Sequence, residues 1–212
     1  MTLLGAPGCG KGTQTKKIAS YFSLPVVGIG DIIRTEIASL SSLGNKVKEL
    51  VSNGDLVPDH LVIELFETVV DNKMLSKGVI LDGYPRTIAQ AESFSSVFSN
   101  KKLDVKVIYL ETSFDVIKER LLGRLLCEGC GCVFHSFFKR PTKEGKCDEC
   151  NSILSTRSDD NENSVIHRYN IFLKETDPVI DYFSDRLLKI DANQSSDGVF
   201  DSLLRVLLPS KA

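Results

Sequence analysis

The chain has 212 residues, of which 42% are hydrophobic and 25% are charged, and its formal net charge is -2. This length allows one well-packed core with small appended lobes. The near balance of 26 basic against 28 acidic residues excludes a chain that binds nucleic acid through an overall basic surface. No apolar run approaches the roughly 18 residues that span a bilayer. Because Met1 leads into an apolar segment and not into a charged signal-peptide start, we expect a cytoplasmic protein without membrane or nucleic-acid partners.

A glycine-rich segment follows the first apolar residues. Residues 5–14 read GAPGCGKGTQ and contain four glycines around one lysine: Gly5, Gly8, Gly10, Lys11, Gly12. Glycine tolerates positive φ, so the N–H groups of this loop can turn toward one anion, and the helix predicted over residues 13–21 adds its N-terminus. The pattern G-x-x-x-x-G-K-[S/T] is met except that Gly12 stands at the hydroxyl position and Thr13 follows. The segment therefore predicts a nucleoside triphosphate site.

Apolar β-rich runs alternate with helical patterns, which is typical of a parallel sheet with crossover helices. Five runs are predicted as strands: 2–4, 25–28, 78–81, 105–110 and 187–190. Apolar residues at three-to-four spacing predict further helices: 31–38, 44–52, 58–72, 88–100, 113–122, 165–183 and 200–208. Residues 28–57 and 123–160 interrupt the alternation. We expect both as lobes inserted into a single α/β core over residues 1–212.

A second motif, GVILDGYPR, occupies residues 78–86. Ligands of an open α/β sheet bind outside the carboxyl ends of its strands, so Asp82 is expected beside the phosphate loop. Its carboxylate can hold a magnesium ion through water. Arg86 follows on a turn after Pro85 and can clamp a second phosphate. Without the phosphate loop, the same two residues would be interpreted as a turn former and a solvated charge.

The cysteine spacing indicates a metal site. Cys127 and Cys130 form one C-x-x-C pair, and Cys147 and Cys150 form another after sixteen intervening residues. This is the spacing of a zinc ribbon, in which four thiolates surround one tetrahedral ion. A redox couple is the alternative, although neither pair opens a helix after a strand. We predict a structural zinc that stiffens residues 123–160, with Cys132 as a spare thiol.

Several arginines have no complementary acidic run: Arg34, Arg120, Arg124, Arg157 and Arg168. Arg120 and Arg124 lie four residues apart at the entrance of the 123–160 lobe, and Arg157 lies at its exit. Closure of this lobe would bring the arginines together. Phosphoryl transfer uses such positioned guanidinium groups, because they stabilise the charge on the transferring group.

The chain resembles the adenylate kinase family over essentially its whole length. Four segments carry the resemblance: residues 5–14, 30–34 (GDIIR), 54–59 (GDLVPD) and 81–86 (LDGYPR) followed by Gln90. The four paired cysteines match the family variant with a long zinc-bearing lid. The resemblance implies a P-loop nucleoside monophosphate kinase fold, with a five-stranded parallel sheet flanked by helices, a mobile acceptor lobe at 28–57 and a mobile lid at 123–160. It also implies a monomer that converts ATP and AMP into two ADP with Mg²⁺.

The same resemblance implies roles for individual residues. Six are expected to act on the transferring phosphoryl group: Lys11, Asp82, Arg86, Arg124, Arg157 and Arg168. The ATP contacts are expected at Gly8, Cys9, Gly10, Lys11, Gly12, Thr13, Arg124, Val133, Phe134 and Gln194. The AMP contacts are expected at Ile29, Arg34, Asp55, Leu56, Val57, Gly83, Tyr84, Pro85, Arg86, Gln90, Arg157 and Arg168. The structural zinc would be held by Cys127, Cys130, Cys147 and Cys150.

Some residues depart from the family pattern. Ile29 stands where the family usually has a threonine near the AMP base, and Gly28 replaces a common serine, so a UMP or CMP kinase is the nearest alternative. Cys9 replaces an alanine or serine and is either a small residue that fills space or an oxidisable thiol. A more distant alternative is a P-loop protein whose zinc ribbon binds nucleic acid through residues 135–140 (HSFFKR).

Overall fold

The computed structural model describes residues 1–70, 77–157 and 159–208. The strands are β1 (Thr2–Leu4), β2 (Val26–Gly28), β3 (Ile80–Asp82), β4 (Val107–Glu111), β5 (Arg124–Cys127), β6 (Val133–His135), β7 (Leu154–Ser155) and β8 (Leu187–Asp191). The α-helices are α1 (Lys11–Phe22), α2 (Ile29–Ala38), α3 (Ser42–Asn53), α4 (Asp59–Val69), α5 (Ile88–Asn100), α6 (Phe114–Leu122), α7 (Glu162–Ile171), α8 (Asp177–Tyr182) and α9 (Ser196–Leu207).

Five strands form one parallel sheet in the order β2-β3-β1-β4-β8. They are the five predicted strands, and their ends differ from the prediction by at most two residues. Asp82 pairs in register with Leu3 on one side and with Gly28 on the other. The end of β3 therefore lies between β1 and β2, at the edge of the sheet where the phosphate-loop segment leaves β1.

The period of two along each strand divides the core between the two faces of the sheet. Leu4, Leu81 and Val107 face a cluster that includes aromatic residues of α4 and α5. Their neighbours Leu3, Ile80 and Ile108 face the opposite cluster, under α1 and α9. Both faces of the sheet are thus covered by helices, as parallel sheets require.

Residues 123–160 contain a separate antiparallel sheet of three short strands, in the order β6-β5-β7. Four buried residues fill its small core: Cys127, Phe134, Cys147 and Leu154. Most of the packing in this region is therefore local. Among the described residues, no helix combines the length and apolar character needed to cross a bilayer.

The predicted helix over 165–183 is helical as far as Tyr182, with one irregular turn inside it. A π-helical turn at Phe172–Thr176 separates α7 from α8, and Pro178 lies at the start of α8. Proline lacks an N–H and its ring clashes with the carbonyl four residues earlier, and the wider π-helical turn directly before α8 accommodates it within helical backbone. The predicted strand at 78–81 begins only at Ile80, since Gly78 has a φ of 87°. The last two residues of the helix predicted over 58–72 lie outside the described residues.

Candidate active site

The loop between β1 and α1 presents an open helix N-terminus. Gly5, Gly8 and Gly10 have φ values of 148°, 85° and 105°, which only glycine adopts freely. Helix α1 then begins at Lys11 without a side-chain cap and without an acidic residue in its first turn. Backbone N–H groups at such a helix start bind anions. The residues predicted to bind ATP between Gly8 and Thr13 thus share one anion-binding turn.

The ammonium group of Lys11 lies over this loop. Its Nζ donates to the carbonyl oxygen of Gly5 at 2.6 Å and to that of Ala6 at 3.0 Å, and it is 3.6 Å from the thiol of Cys9. Cys9 itself is buried in the core cluster under α1. The loop therefore carries a positive charge above its backbone and an apolar thiol beneath it.

The carboxylate of Asp82 lies beside the start of α1. A Cβ atom added to Gly12 would be 3.4 Å from Oδ2 of Asp82, about an ordinary van der Waals contact, so the carboxylate lies directly beside this position. Burial raises the pKa of Asp82, while the positive charges of Lys11 and Arg86 lower it. The glycine at the usual hydroxyl position thus allows close approach between this carboxylate and the loop.

Arg86 is fixed by the turn that follows β3. Its Nε donates to the carbonyl oxygen of Gly83 at 2.8 Å, and its backbone N–H donates to Oε1 of Gln90 at 2.9 Å. The hydroxyl of Thr176, in the π-helical turn, donates to the Arg86 carbonyl at 2.9 Å. Tyr84 points the other way and stacks on Phe66 in the core with ring centroids 4.3 Å apart. Tyr84 can therefore face the cleft only with its backbone.

An ion-pair network joins the two borders of the 123–160 region. Arg124 donates from Nε to Oδ2 of Asp160 at 2.7 Å, and Arg168 donates to Asp159 at 2.9 Å and to Asp160 at 3.4 Å. The Asp160 side chain is 1% exposed. Although the arginines have no complementary acidic run in the sequence, the two aspartates pair with Arg124 and Arg168 across the fold.

Arg157 lies next to this network but is not neutralised by it. Its Nε is buried and has no hydrogen-bond partner among the described residues. Burial lowers the pKa of Arg157 to about 10, with further lowering by Arg124 and Arg34, against the raising effect of Asp159 and Asp160. A buried donor without a partner is costly in a folded protein. An anionic ligand oxygen is the partner that would satisfy it.

The remaining arginines fall into two positions. Arg34, on α2, pairs with Asp31 and adds positive potential at Arg86, Arg157 and Arg168. Arg120 instead donates to the carbonyl oxygens of Cys9 at 3.1 Å and Gln194 at 2.9 Å. Arg120 therefore connects the phosphate-loop backbone to the loop before α9, and does not join the other arginines.

Residues 28–57 contact α7 at the side of the cleft. The imidazole Nε2 of His167 is 2.7 Å from Oδ1 of Asp55, and a Cβ on Gly54 would be 2.8 Å from Cγ of Arg168. Ile29 and Val57 pack in the large apolar cluster, while Leu56 lines a cavity of about 310 Å³. The side chain of Ile29 is thus part of the core. Its predicted role in base recognition would have to be indirect.

The 123–160 region reaches α1 through its first cysteine turn. Lys16 of α1 donates to the carbonyl oxygen of Gly131 at 2.9 Å. Phe134 is buried in the small core with Lys139 over its ring at 4.7 Å, so only its backbone and Val133 can face outward. His135 is buried; it accepts two backbone N–H bonds at Nδ1 and its Nε2 lies 3.2 Å from the Glu119 carbonyl. This histidine has a structural role.

The four paired cysteines converge. Their Sγ atoms all lie within 4.8 Å of one another, with 3.3 Å between Cys127 and Cys150 and 3.5 Å between Cys130 and Cys147. A tetrahedral zinc with bonds of about 2.3 Å separates its sulfurs by about 3.8 Å. The donor set therefore fits zinc in number, type and spacing. Cys132 lies outside this set; its carbonyl accepts from the Cys127 N–H, and it also contacts the Cys130 thiol.

Sequence reasoning missed three acidic residues at the cleft. Asp159 and Asp160 balance the arginines, and Asp59 accepts a hydrogen bond from Gln90 at 2.7 Å. The signal for the first two was present, since both follow Arg157 closely in the sequence. No local pattern links Asp59 to Gln90, because they are 31 residues apart.

Comparison with known proteins points to one family. The family model described as adenylate kinase matches residues 3–188. A protein named adenylate kinase from Kosmotoga olearia is 40% identical over 209 residues, covering 97% of each chain. One from Caldicellulosiruptor bescii is 41% identical over 194 residues, covering 91% of this chain and 90% of its own. One from Geobacillus sp. is 36% identical over 211 residues, covering 98% of this chain and 97% of its own.

Proposed function

Because the chain belongs to the adenylate kinase family, we propose that its cleft transfers the terminal phosphoryl group of ATP reversibly to AMP, giving two ADP. The observation that carries this proposal is the gathering of guanidinium groups around the unsatisfied Arg157, in the same cleft as an uncapped helix start. Phosphoryl transfer requires little covalent chemistry from the protein. Positioning and charge stabilisation supply most of the rate.

ATP is proposed to bind with its phosphates on the loop between β1 and α1. The free N–H groups at the start of α1 and the ammonium of Lys11 would hold the β- and γ-phosphates. The backbone of Val133 and Phe134 and the loop at Gln194 would approach the nucleoside. Arg120 supports this arrangement, because it bonds to carbonyls of both the phosphate loop and the Gln194 loop.

AMP is proposed to bind between residues 28–57 and the turn after β3. Arg34, Arg86 and Arg168 would hold its phosphate in line with the ATP terminus. The mutual effects of these guanidinium groups on their pKa values support their closeness. Gly83 to Pro85 would contribute backbone atoms, and Gln90 would read the base. The carboxylate of Asp55 contacts the imidazole of His167, and Asp55 would affect AMP binding through that contact.

Two metal ions are part of the proposal. The magnesium ion that accompanies ATP would be held through water by Asp82 and would neutralise charge on the phosphates. Zinc would be held by the four thiolates Cys127, Cys130, Cys147 and Cys150, and would stabilise the small sheet without contacting substrate. A site with four protein ligands has no open position for a reactant.

The domain arrangement extends the proposal. We propose that residues 28–57 and 123–160 move as an acceptor lobe and a lid, closing over the phosphates to exclude water before transfer. A monomer is part of the proposal, as the family resemblance implies. The free state of the described cysteines suits a reducing compartment, which supports the cytoplasm. Nothing in the described residues favours a UMP or CMP kinase or a nucleic-acid ribbon.

The test is phosphoryl transfer from ATP with AMP, CMP, UMP and GMP as separate acceptors, with and without Mg²⁺. We expect preference for AMP and complete dependence on Mg²⁺. Lys11→Ala and Arg86→Ala should each lower kcat by about 10³ and leave thermal unfolding nearly unchanged. Preference for a pyrimidine monophosphate would support the UMP or CMP alternative, and no transfer to any acceptor would reject the proposal.

A further inference from the structure

Two hydrogen bonds fix the side-chain amide of Gln90 in one orientation. The backbone N–H of Arg86 donates to Oε1 at 2.9 Å, and Nε2 donates to Oδ1 of Asp59 at 2.7 Å. A backbone N–H can only donate, and an ionised carboxylate can only accept. Turning the amide over would place donor against donor at Arg86 and acceptor against acceptor at Asp59. The partners therefore determine which end of the amide is oxygen and which is nitrogen.

The contact is held in place by both helices that supply it. Gln90 is 2% exposed and Thr87 is 9% exposed. The Thr87 hydroxyl donates to the same oxygen of Asp59 at 2.9 Å and accepts from the backbone N–H of Gln90 at 3.3 Å. Asp59 lies in the first turn of α4, and Thr87 caps α5. The start of α4, directly after residues 28–57, is thus joined to the helix that carries Gln90.

The fixed amide retains one donor and one acceptor for a ligand. A glutamine amide has two N–H groups and an oxygen with two lone pairs, of which Asp59 and Arg86 occupy one each. The remaining pair matches a purine with an amino donor at position 6 beside the ring acceptor N1. A purine with an oxo group at position 6 presents the reverse order, with an acceptor oxygen beside an N1–H donor.

We propose that Asp59 is a positioning residue that makes the acceptor site select 6-aminopurine over 6-oxopurine monophosphates by holding the amide of Gln90. This inference rests on the proposed function and names how its base specificity is set. It also explains how the site can be specific for AMP although residue 29 is an isoleucine, whose side chain is buried in the core. The discriminating group is the oriented amide, and no hydroxyl at residue 29 is needed.

The test is the substitution Asp59→Asn, which keeps the size of the side chain but can offer an N–H to Gln90, so that only the contact with the Arg86 N–H still opposes turning the amide over. We expect kcat/KM for AMP to fall about tenfold and the GMP to AMP ratio of kcat/KM to rise by about tenfold or more. The KM for ATP should not change. Asp59→Ser, whose hydroxyl can also donate, serves the same purpose if the asparagine variant does not fold.

Two controls separate positioning from a general effect on the fold. Asp115→Asn removes an acidic residue from the first turn of α6, as Asp59→Asn does from α4, but Asp115 is exposed whereas Asp59 is half-buried, and the substitution should leave the GMP to AMP ratio unchanged. On a Gln90→Ala background, Asp59→Asn should have no further effect on this ratio, because Asp59 acts through the amide. A merely structural role would give the same change on both backgrounds.

The outcomes are distinguishable from those of the proposed function. A wild-type protein that prefers AMP, with an unchanged GMP to AMP ratio in Asp59→Asn, rejects the role of Asp59 and leaves the kinase activity intact. An equal effect of Asp59→Asn with and without Gln90 also rejects it. A wild-type protein that phosphorylates no monophosphate rejects the proposed function and this inference together.

Discussion

The arginine cluster of the cleft and the cysteine cluster of residues 123–160 both gather groups of like charge, but they are balanced in different ways. The arginines are partly neutralised by Asp159 and Asp160 from the same chain, and Arg157 keeps a buried donor without a partner. The four cysteines offer a complete tetrahedral donor set. A cluster balanced partly by its own chain can exchange ligands, whereas a complete set of thiolates needs a resident cation.

Because the two clusters are balanced differently, one should matter mainly for activity and the other mainly for stability. Burial of the guanidinium groups and of Asp82, whose pKa it raises, is unfavourable for the folded state. Binding of phosphate and metal would compensate for this cost. The cysteine cluster, in contrast, supplies two of the four buried residues of the small core, Cys127 and Cys147, and would contribute stability once metal is bound. Substitutions in the first cluster should therefore affect activity, and those in the second should affect unfolding.

The largest expected effect is on activity at the arginine cluster. Arg157→Ala should lower kcat by about 10³, since a guanidinium that we propose stabilises the transferring phosphoryl group is lost. Its melting temperature should stay the same or rise slightly, because a buried donor without a partner is removed. Steady-state kinetics and thermal unfolding measure both. Arg205→Ala, an exposed arginine in the last turn of α9, should change neither.

Removal of metal should lower stability more than activity, which is the reverse of the effect expected for Arg157→Ala. A chelator or Cys147→Ser should lower the melting temperature by about 10 °C while most activity at low temperature remains. Calorimetry with metal analysis checks this, and Cys132→Ser is the matched control because Cys132 lies outside the ligand set. A metal-free protein with the melting temperature of the wild type would contradict a structural role for zinc.

The next effect in size is on stability, and it comes from the loss of an internal counter-charge. Asp160→Asn leaves Arg124 and Arg168 without their shared partner and should lower the free energy of unfolding by roughly 2 kcal/mol, less than for a fully buried pair because both arginines retain some exposure. Denaturant unfolding measures the change. Glu162→Gln removes an exposed ion pair with Lys118 and should have no measurable effect. Equal effects of the two substitutions would contradict this comparison.

The smallest expected effect is on the pH dependence of AMP binding. Burial lowers the pKa of Arg157 to about 10, so the folded protein loses this proton as pH rises through about 10 while the unfolded chain still keeps it. The charged form therefore costs stability below this pH, and that cost falls progressively as the pH rises from about 10 toward the ordinary pKa of arginine. AMP affinity should fall over the same range, as titration calorimetry would measure. Arg157→Ala should lack this fall; if it persists there, another group is responsible.

The elements of the fold followed from local patterns wherever those patterns were regular. The five strands of the parallel sheet were predicted because short apolar runs between helical segments leave few alternatives. The helix predicted over 165–183 is present, but it contains a π-helical turn before Pro178 that the sequence did not predict. Apolar spacing continued through the proline, and only the packed structure shows the wider turn that accommodates it.

Side-chain direction was the main feature that the site prediction lacked. Ile29, Tyr84 and Phe134 stand in segments that resemble nucleotide-binding motifs, yet their side chains are buried in cores. A motif identifies which backbone is near the ligand. It does not determine which face of the element each side chain occupies, because that depends on the neighbouring helices and strands.

The sequence by itself determined the phosphate loop and the cysteine ligand set, because both depend on glycine conformation and short ligand spacings within contiguous segments. Only the tertiary structure decided that Asp160 pairs with both Arg124 and Arg168, and that Asp59 orients Gln90. These contacts join separate elements, and hydrogen-bonding partners at such distances along the chain are selected by the packing of helices around the sheet. Local spacing therefore predicted where the phosphates and the metal would bind, and packing determined how the charges and the amide are oriented.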